Sequence, residues 1–169
     1  SDNLVTVDGL TIERSRCGLS IEAGAPVLRS VSIRGGTSGL DPAIWIGDAS
    51  PRLERCLVSD RIAGGVQVQP TQPGSLDHCT FVRTGGGTMH VDSPLARVEI
   101  HDSVLERYLT CVAMARVEVD HSDIRYRSCA LALDLANRGA EPLLHPDSLR
   151  PTELSPMRFG ASDGGDMGA

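Results

Sequence analysis

Apolar and polar positions along the chain recur in blocks rather than in one continuous period. Six segments share an apolar, two-polar, small, any, apolar pattern: VDGLTI (7–12), LRSVSI (28–33), LERCLV (53–58), LDHCTF (76–81), IHDSVL (100–105) and VDHSDI (119–124). Their starts lie 21, 25, 23, 24 and 19 residues apart. A second apolar-alternating stretch follows each: GLSI (18–21), AIWI (43–46), GVQV (65–68), TMHV (88–91), CVAM (111–114) and ALAL (130–133). The last apolar residues of the two stretches are 9 or 10 positions apart, except in the second copy, where they are 13 apart. Alternation with a period of two predicts strands.

Aligning the copies predicts inward columns. The first strands contribute Val7, Leu28, Leu53, Leu76, Ile100 and Val119, with Ile12, Ile33, Val58, Phe81, Leu105 and Ile124 beyond them. Between these runs a column of mostly smaller residues: Leu10, Val31, Cys56, Cys79, Ser103 and Ser122. The second strands contribute Leu19 and Ile21, Ile44 and Ile46, Val66 and Val68, Met89 and Val91, Val112 and Met114, and Leu131 and Leu133. One coil cannot bury such faces alone, whereas stacked coils can. A leucine-rich repeat would need its own LxxLxL frame, and a sandwich would not keep two apolar strands in the same order six times.

The repeat therefore resembles the right-handed parallel β-helix, the pectate-lyase-like superfamily of lyases, hydrolases, epimerases and non-catalytic proteins. The expected fold is all-β, a single-stranded solenoid of about six coils over residues 1–135. At ~4.8 Å per coil the stack would be roughly 30 Å tall. Residues 136–158 are Pro-rich and irregular, and Leu143, Leu144, Leu149 and Leu154 suit a segment laid over the last coil. Residues 159–169 read as a flexible Gly/Asp tail. An uncapped first coil would expose a strand edge, so an upstream region, a partner or self-stacking is expected there.

Composition narrows the chemistry. The net charge of −6 argues against a nucleic-acid partner. No apolar run approaches membrane-spanning length. All 16 basic residues are Arg, in keeping with a GC-rich bacterial genome, which excludes lysine Schiff-base chemistry. Five Cys without a CxxC offer neither a zinc framework nor a complete disulfide set. Free, buried thiols fit the cytoplasm, or a secreted protein if a signal peptide precedes residue 1. The GG and GGG runs at 35–36, 64–65 and 85–87 read as turns, since no Lys follows them as in a phosphate loop.

Candidate sites are read across coils. The polar pairs of the last three copies stack Asp77 and His78, His101 and Asp102, and Asp120 and His121. Such a ladder suits acid/base work on a sugar, since neighbouring carboxylates split their pKa values. Its His and Asp types could also hold a divalent cation, although the composition calls for no resident metal or cofactor. A second outward surface holds Trp45, Asp48, Gln67, Gln69, His90 and Asp92, a platform for a glycan or a protein partner. A third group, with Arg14, Asp60, Arg83 and Arg107, reads as surface ion pairs. The expected function is a non-catalytic module of a larger protein, presenting a rigid strand face to a protein or carbohydrate. The alternatives are a polysaccharide hydrolase, lyase or epimerase using the Asp/His ladder, or self-assembly by coil stacking.

Overall fold

In the computed structural model, which describes residues 5–36, 39, 41–69, 73–128, 132–133, 139–140, 142–158 and 160–168, the chain winds into a parallel β-solenoid. Coil 1 carries β1 (Thr6–Asp8), β2 (Thr11–Glu13) and β3 (Leu19–Gly24). Coil 2 carries β4 (Val27–Arg29), β5 (Ser32–Arg34) and β6 (Ile44–Ala49), and coil 3 carries β7 (Arg52–Glu54), β8 (Leu57–Ser59) and β9 (Val66–Val68). Coil 4 carries β10 (Pro73–Asp77), β11 (Thr80–Val82) and β12 (Met89–Val91). Coil 5 has only β13 (Arg97–His101) and the long β14 (Val104–Cys111). The winding continues through β15 (Arg116–Asp120), β16 (Asp123–Arg127) and β17 (Ala132–Leu133), giving about five turns.

Every strand pair is parallel, and three faces result. The first face stacks β1, β4, β7, β10, β13, β15 and β17. Its inner column is in strict register: Val7, Leu28, Leu53, Leu76, Ile100 and Val119, with β17 pairing onto β15 beyond it. The second face stacks β2, β5, β8, β11, β14 and β16, aligning Ile12, Ile33, Val58, Phe81, Leu105 and Ile124 as expected. Leu53, Ile33, Val58, Phe81, Ile100 and Leu105 are all completely buried. Each such side chain contributes ~1.5–3 kcal/mol through lost apolar exposure.

The third face departs from expectation in its last coils. β12 pairs with β14 through Met89 to Leu109 and Val91 to Cys111, so Val112 and Met114 are not in the inner columns. Met114 is instead exposed, at a positive φ. Leu133 belongs to the first face, and Leu131 lies outside the described residues. The reason is a missing corner. In coils 1–4 a left-handed residue separates the second face from the third: Arg14, Gly35, Asp60 and Arg83. Coil 5 has Glu106, Arg107 and Tyr108 there, none of them left-handed, and β14 continues through with only a register shift between Leu105 and Tyr108. It therefore joins both faces, pairing with β11 at one end and β12 at the other.

The corner in coils 3 and 4 depends on close backbone stacking. A Cβ on Gly85 would sit 2.1 Å from the Ile62 carbonyl oxygen, so no side chain fits. Beneath it, Arg61 is 2% exposed and works as a staple. Its Nη1 donates to the carbonyls of Ser15 and Gly35 and its Nη2 to that of Arg16, tying three successive corners. Burial lowers its pKa from the ordinary guanidinium value.

The C-terminal residues lie along the flank of the solenoid. Leu149, Met157 and Met167 are buried against Val82 and Val104, with Leu144 partly buried beside them. Leu143 and Leu154 are exposed. Gly168 N–H donates to the Asp102 carbonyl at 2.7 Å, bringing residues 160–168 to the corner between the first two faces.

Candidate functional site

The corner between faces one and two has the same backbone form in six successive coils. Its second residue is left-handed throughout: Gly9, Ser30, Arg55, His78, Asp102 and His121. This conformation costs non-glycine residues about 1 kcal/mol, and the stack offsets it with hydrogen bonds. The N–H of each left-handed residue from Gly9 to Asp102 donates to a carbonyl of the next coil. The residue after it turns inward, where Cys79 N–H donates to Ser103 Oγ and Ser103 N–H to Ser122 Oγ, both at 3.0 Å. Cys56 N–H meets the Cys79 sulfur in the same way.

Cys56 and Cys79 are therefore interior ladder members, and burial pushes the Cys79 thiol well up. Cys17 is free and exposed. Cys111 is disulfide-bonded, so the reading of the cysteines as free, buried thiols does not extend to it; Cys129 lies outside the described residues.

On the outside of this corner the six Asp/His residues form two groups. His78 Nδ1 is 2.9 Å from Asp77 Oδ1 and 4.0 Å from Asp102 Oδ2. Asp102 is nearly fully buried, and both of its oxygens accept from Ser162, from the N–H at 2.6 Å and from the hydroxyl at 2.7 Å. Asp163 Oδ2 approaches the other nitrogen of His78, Nε2, at 3.7 Å. In the second group, His121 Nδ1 is 2.7 Å from Asp120 Oδ1, and His101 stands between Asp120 and Glu99 at 3.9 Å from each. Lower in the ladder Glu54 pairs with Arg29 and Arg52, both at 2.6 Å. A cavity of about 490 Å³ opens beside Asp77, His78, His101 and Asp102.

The third face carries the other expected surface. Its outward residues Ser20, Trp45, Gln67, His90 and Thr110 stand in one row. Asp92 joins Gln67 and His90: Gln67 Nε2 donates at 2.7 Å, and His90 Nε2 lies 2.6 Å away. His90 Nδ1 contacts the Thr110 hydroxyl. A groove of about 390 Å³ runs along this row, with Tyr108, 52% exposed, on its wall and Gly86 and Gly87 at its rim. Trp45 is half-buried in the row, while Asp48 and Gln69 are exposed beside it. Residues 37, 38 and 40 of the loop leading to Trp45 lie outside the described residues.

In the Arg-rich third group the structure shows an ion pair between Arg83 and Asp60. Arg83 Nε meets Asp60 at 2.9 Å and the Arg83 N–H donates to Glu106. Sequence reasoning missed Ser162, Asp163, Tyr108 and Thr110. The first two lie about 60 residues from Asp102, and the last two follow from the missing corner of coil 5.

Compared with known proteins, the chain matches no family model, no curated protein and no solved structure.

Proposed function

We propose that the protein is a non-catalytic β-solenoid module that binds a carbohydrate chain along the outward row of its third face. The observation that carries this is the groove beside Gln67, His90 and Thr110, where Asp92 fixes the polar side chains before any ligand arrives. Pre-fixed side chains lose little rotamer entropy on binding. The Tyr108 ring gives a sugar an apolar platform, and the paired His90, Asp92 and Gln67 offer donors and acceptors to its hydroxyls. Parallel strands repeat these groups at ~4.8 Å, which suits an extended ligand rather than a compact one.

The test is calorimetric titration with a panel of acidic and neutral oligosaccharides. Binding that falls at least about tenfold in Tyr108→Ala and Asp92→Asn is the expected result. Affinity for an extended peptide and for no glycan would turn the reading toward a protein partner. Release of shortened sugar products, abolished by Asp102→Asn or Asp120→Asn, would move the function to the Asp/His corner and make the protein an enzyme.

A further inference from the structure

The geometry points to a second site, separate from the groove: a divalent transition-metal centre at the corner of coils 4 and 5, liganded by Asp77, His78 and Asp102. One ligand atom from each of the three lies within 4.8 Å of the others. Two donors ~2.0–2.2 Å from a common ion, subtending 90–110°, stand roughly 3–3.5 Å apart. The separations from His78 Nδ1, 2.9 Å to Asp77 and 4.0 Å to Asp102, bracket that value. A small side-chain rotation closes the set around an ion.

Three further observations separate this from an ordinary surface ion pair. First, Asp102 is a carboxylate whose side chain is only 4% exposed, and its hydrogen bonds come from the neutral groups of Ser162. Among the described residues the nearest basic group is His78, at a distance too long for a hydrogen bond. A buried anion without a cation in contact is costly, and a bound divalent ion removes that cost. Secondly, the outer contacts are those a metal-binding imidazole and carboxylate use. Ser162 fixes the Asp102 plane by donating to both of its oxygens, and Asp163, 3.7 Å from Nε2 of His78, needs only a small side-chain shift to hydrogen-bond that nitrogen when Nδ1 binds an ion. Thirdly, the 490 Å³ cavity beside the three ligands leaves open coordination positions for water or a small anion.

One nitrogen and two carboxylates select a borderline divalent ion such as Zn²⁺ or Co²⁺ rather than a soft one. Because Ser162 and Asp163 belong to the C-terminal segment, the ion would also hold residues 160–168 against the solenoid.

The experiment is titration of the full chain with Zn²⁺ by calorimetry and with Co²⁺ by visible absorption. It is done in a Cys17→Ser background, which removes the exposed free thiol as a competing ligand. The expected result is one ion per chain at micromolar affinity or tighter, with Co²⁺ d–d bands that report an imidazole ligand. His78→Asn, chosen because Asn tolerates the left-handed backbone, should abolish binding. Asp163→Asn, on an exposed side chain, should weaken binding by about 10–100-fold without altering the fold. No saturable uptake at micromolar metal overturns the proposal, as does uptake unchanged in both His78→Asn and Asp163→Asn. Should His78→Asn lose its folded circular dichroism, the Asp163→Asn affinity alone decides.

Discussion

The backbone N–H of Ser103 donates to the side-chain oxygen of Ser122, one coil on, at 3.0 Å. Both residues are completely buried, and the left-handed corner before Ser103 takes its N–H out of the sheet ladder. A side chain thus replaces the missing strand partner. Ser122→Ala should lower stability by ~1–3 kcal/mol, the cost of a buried donor left unpaired. Ser122→Cys should cost less, since Cys79 fills the equivalent place opposite Cys56. Urea denaturation of the two variants checks the order.

Cys79 gives the same ladder a pH limit. Its thiol ordinarily titrates at 9.0, and burial raises that well above 9.0 in the folded chain. The folded state keeps the proton where the unfolded state releases it, so the contribution is whole below about pH 9 and is lost as pH rises further. Thermal melts should therefore show the parent losing stability relative to Cys79→Ser on the alkaline side of pH 9, with a constant difference at neutral pH.

Arg61→Met keeps the apolar stem but removes the donors serving the carbonyls of Ser15, Arg16 and Gly35. Stability should fall by about 3 kcal/mol. Arg61→Lys should recover only part of this, because an ammonium cannot reproduce the planar fork. Chemical denaturation measures both.

Met157 is completely buried on the flank, against Val82 and Val104. Met157→Ala should cost ~2–4 kcal/mol locally. Hydrogen exchange should quicken in residues 142–168 while the strands of coils 1–3 keep their protection.

The first two faces were legible because six copies kept the apolar order, and a two-residue period leaves only one way to turn each side chain. The third face of coil 5 was not. The segment CVAM imitates the earlier second strands, but strand placement there depends on whether a left-handed turn precedes it, and Glu106–Arg107–Tyr108 makes none. Asp77, His78 and Asp102 could be grouped from the repeat alone, since neighbouring coils place them together. Ser162 and Asp163 could not, because no periodicity connects the C-terminal segment to coil 5. Arg61, beside Ile62 in a turn, reads as a surface charge; only the stacking of three corners encloses it.

β14 makes the stack unequal along its length. Through coil 4 each turn repeats the same three strands, coil 2 with a longer connection before its third, so duplicating one unit, such as the 23 residues from Leu53 to Ser75, would insert a turn whose strands fit both neighbours. Beyond that point the outline changes, because Val104–Cys111 passes with one register shift, between Leu105 and Tyr108, the corner that coil 4 turns at the left-handed Arg83. A duplicated coil 5 would have to sit on a copy of its own shifted strand. The molecule can thus lengthen by tandem duplication among its first four turns, which share one three-strand plan.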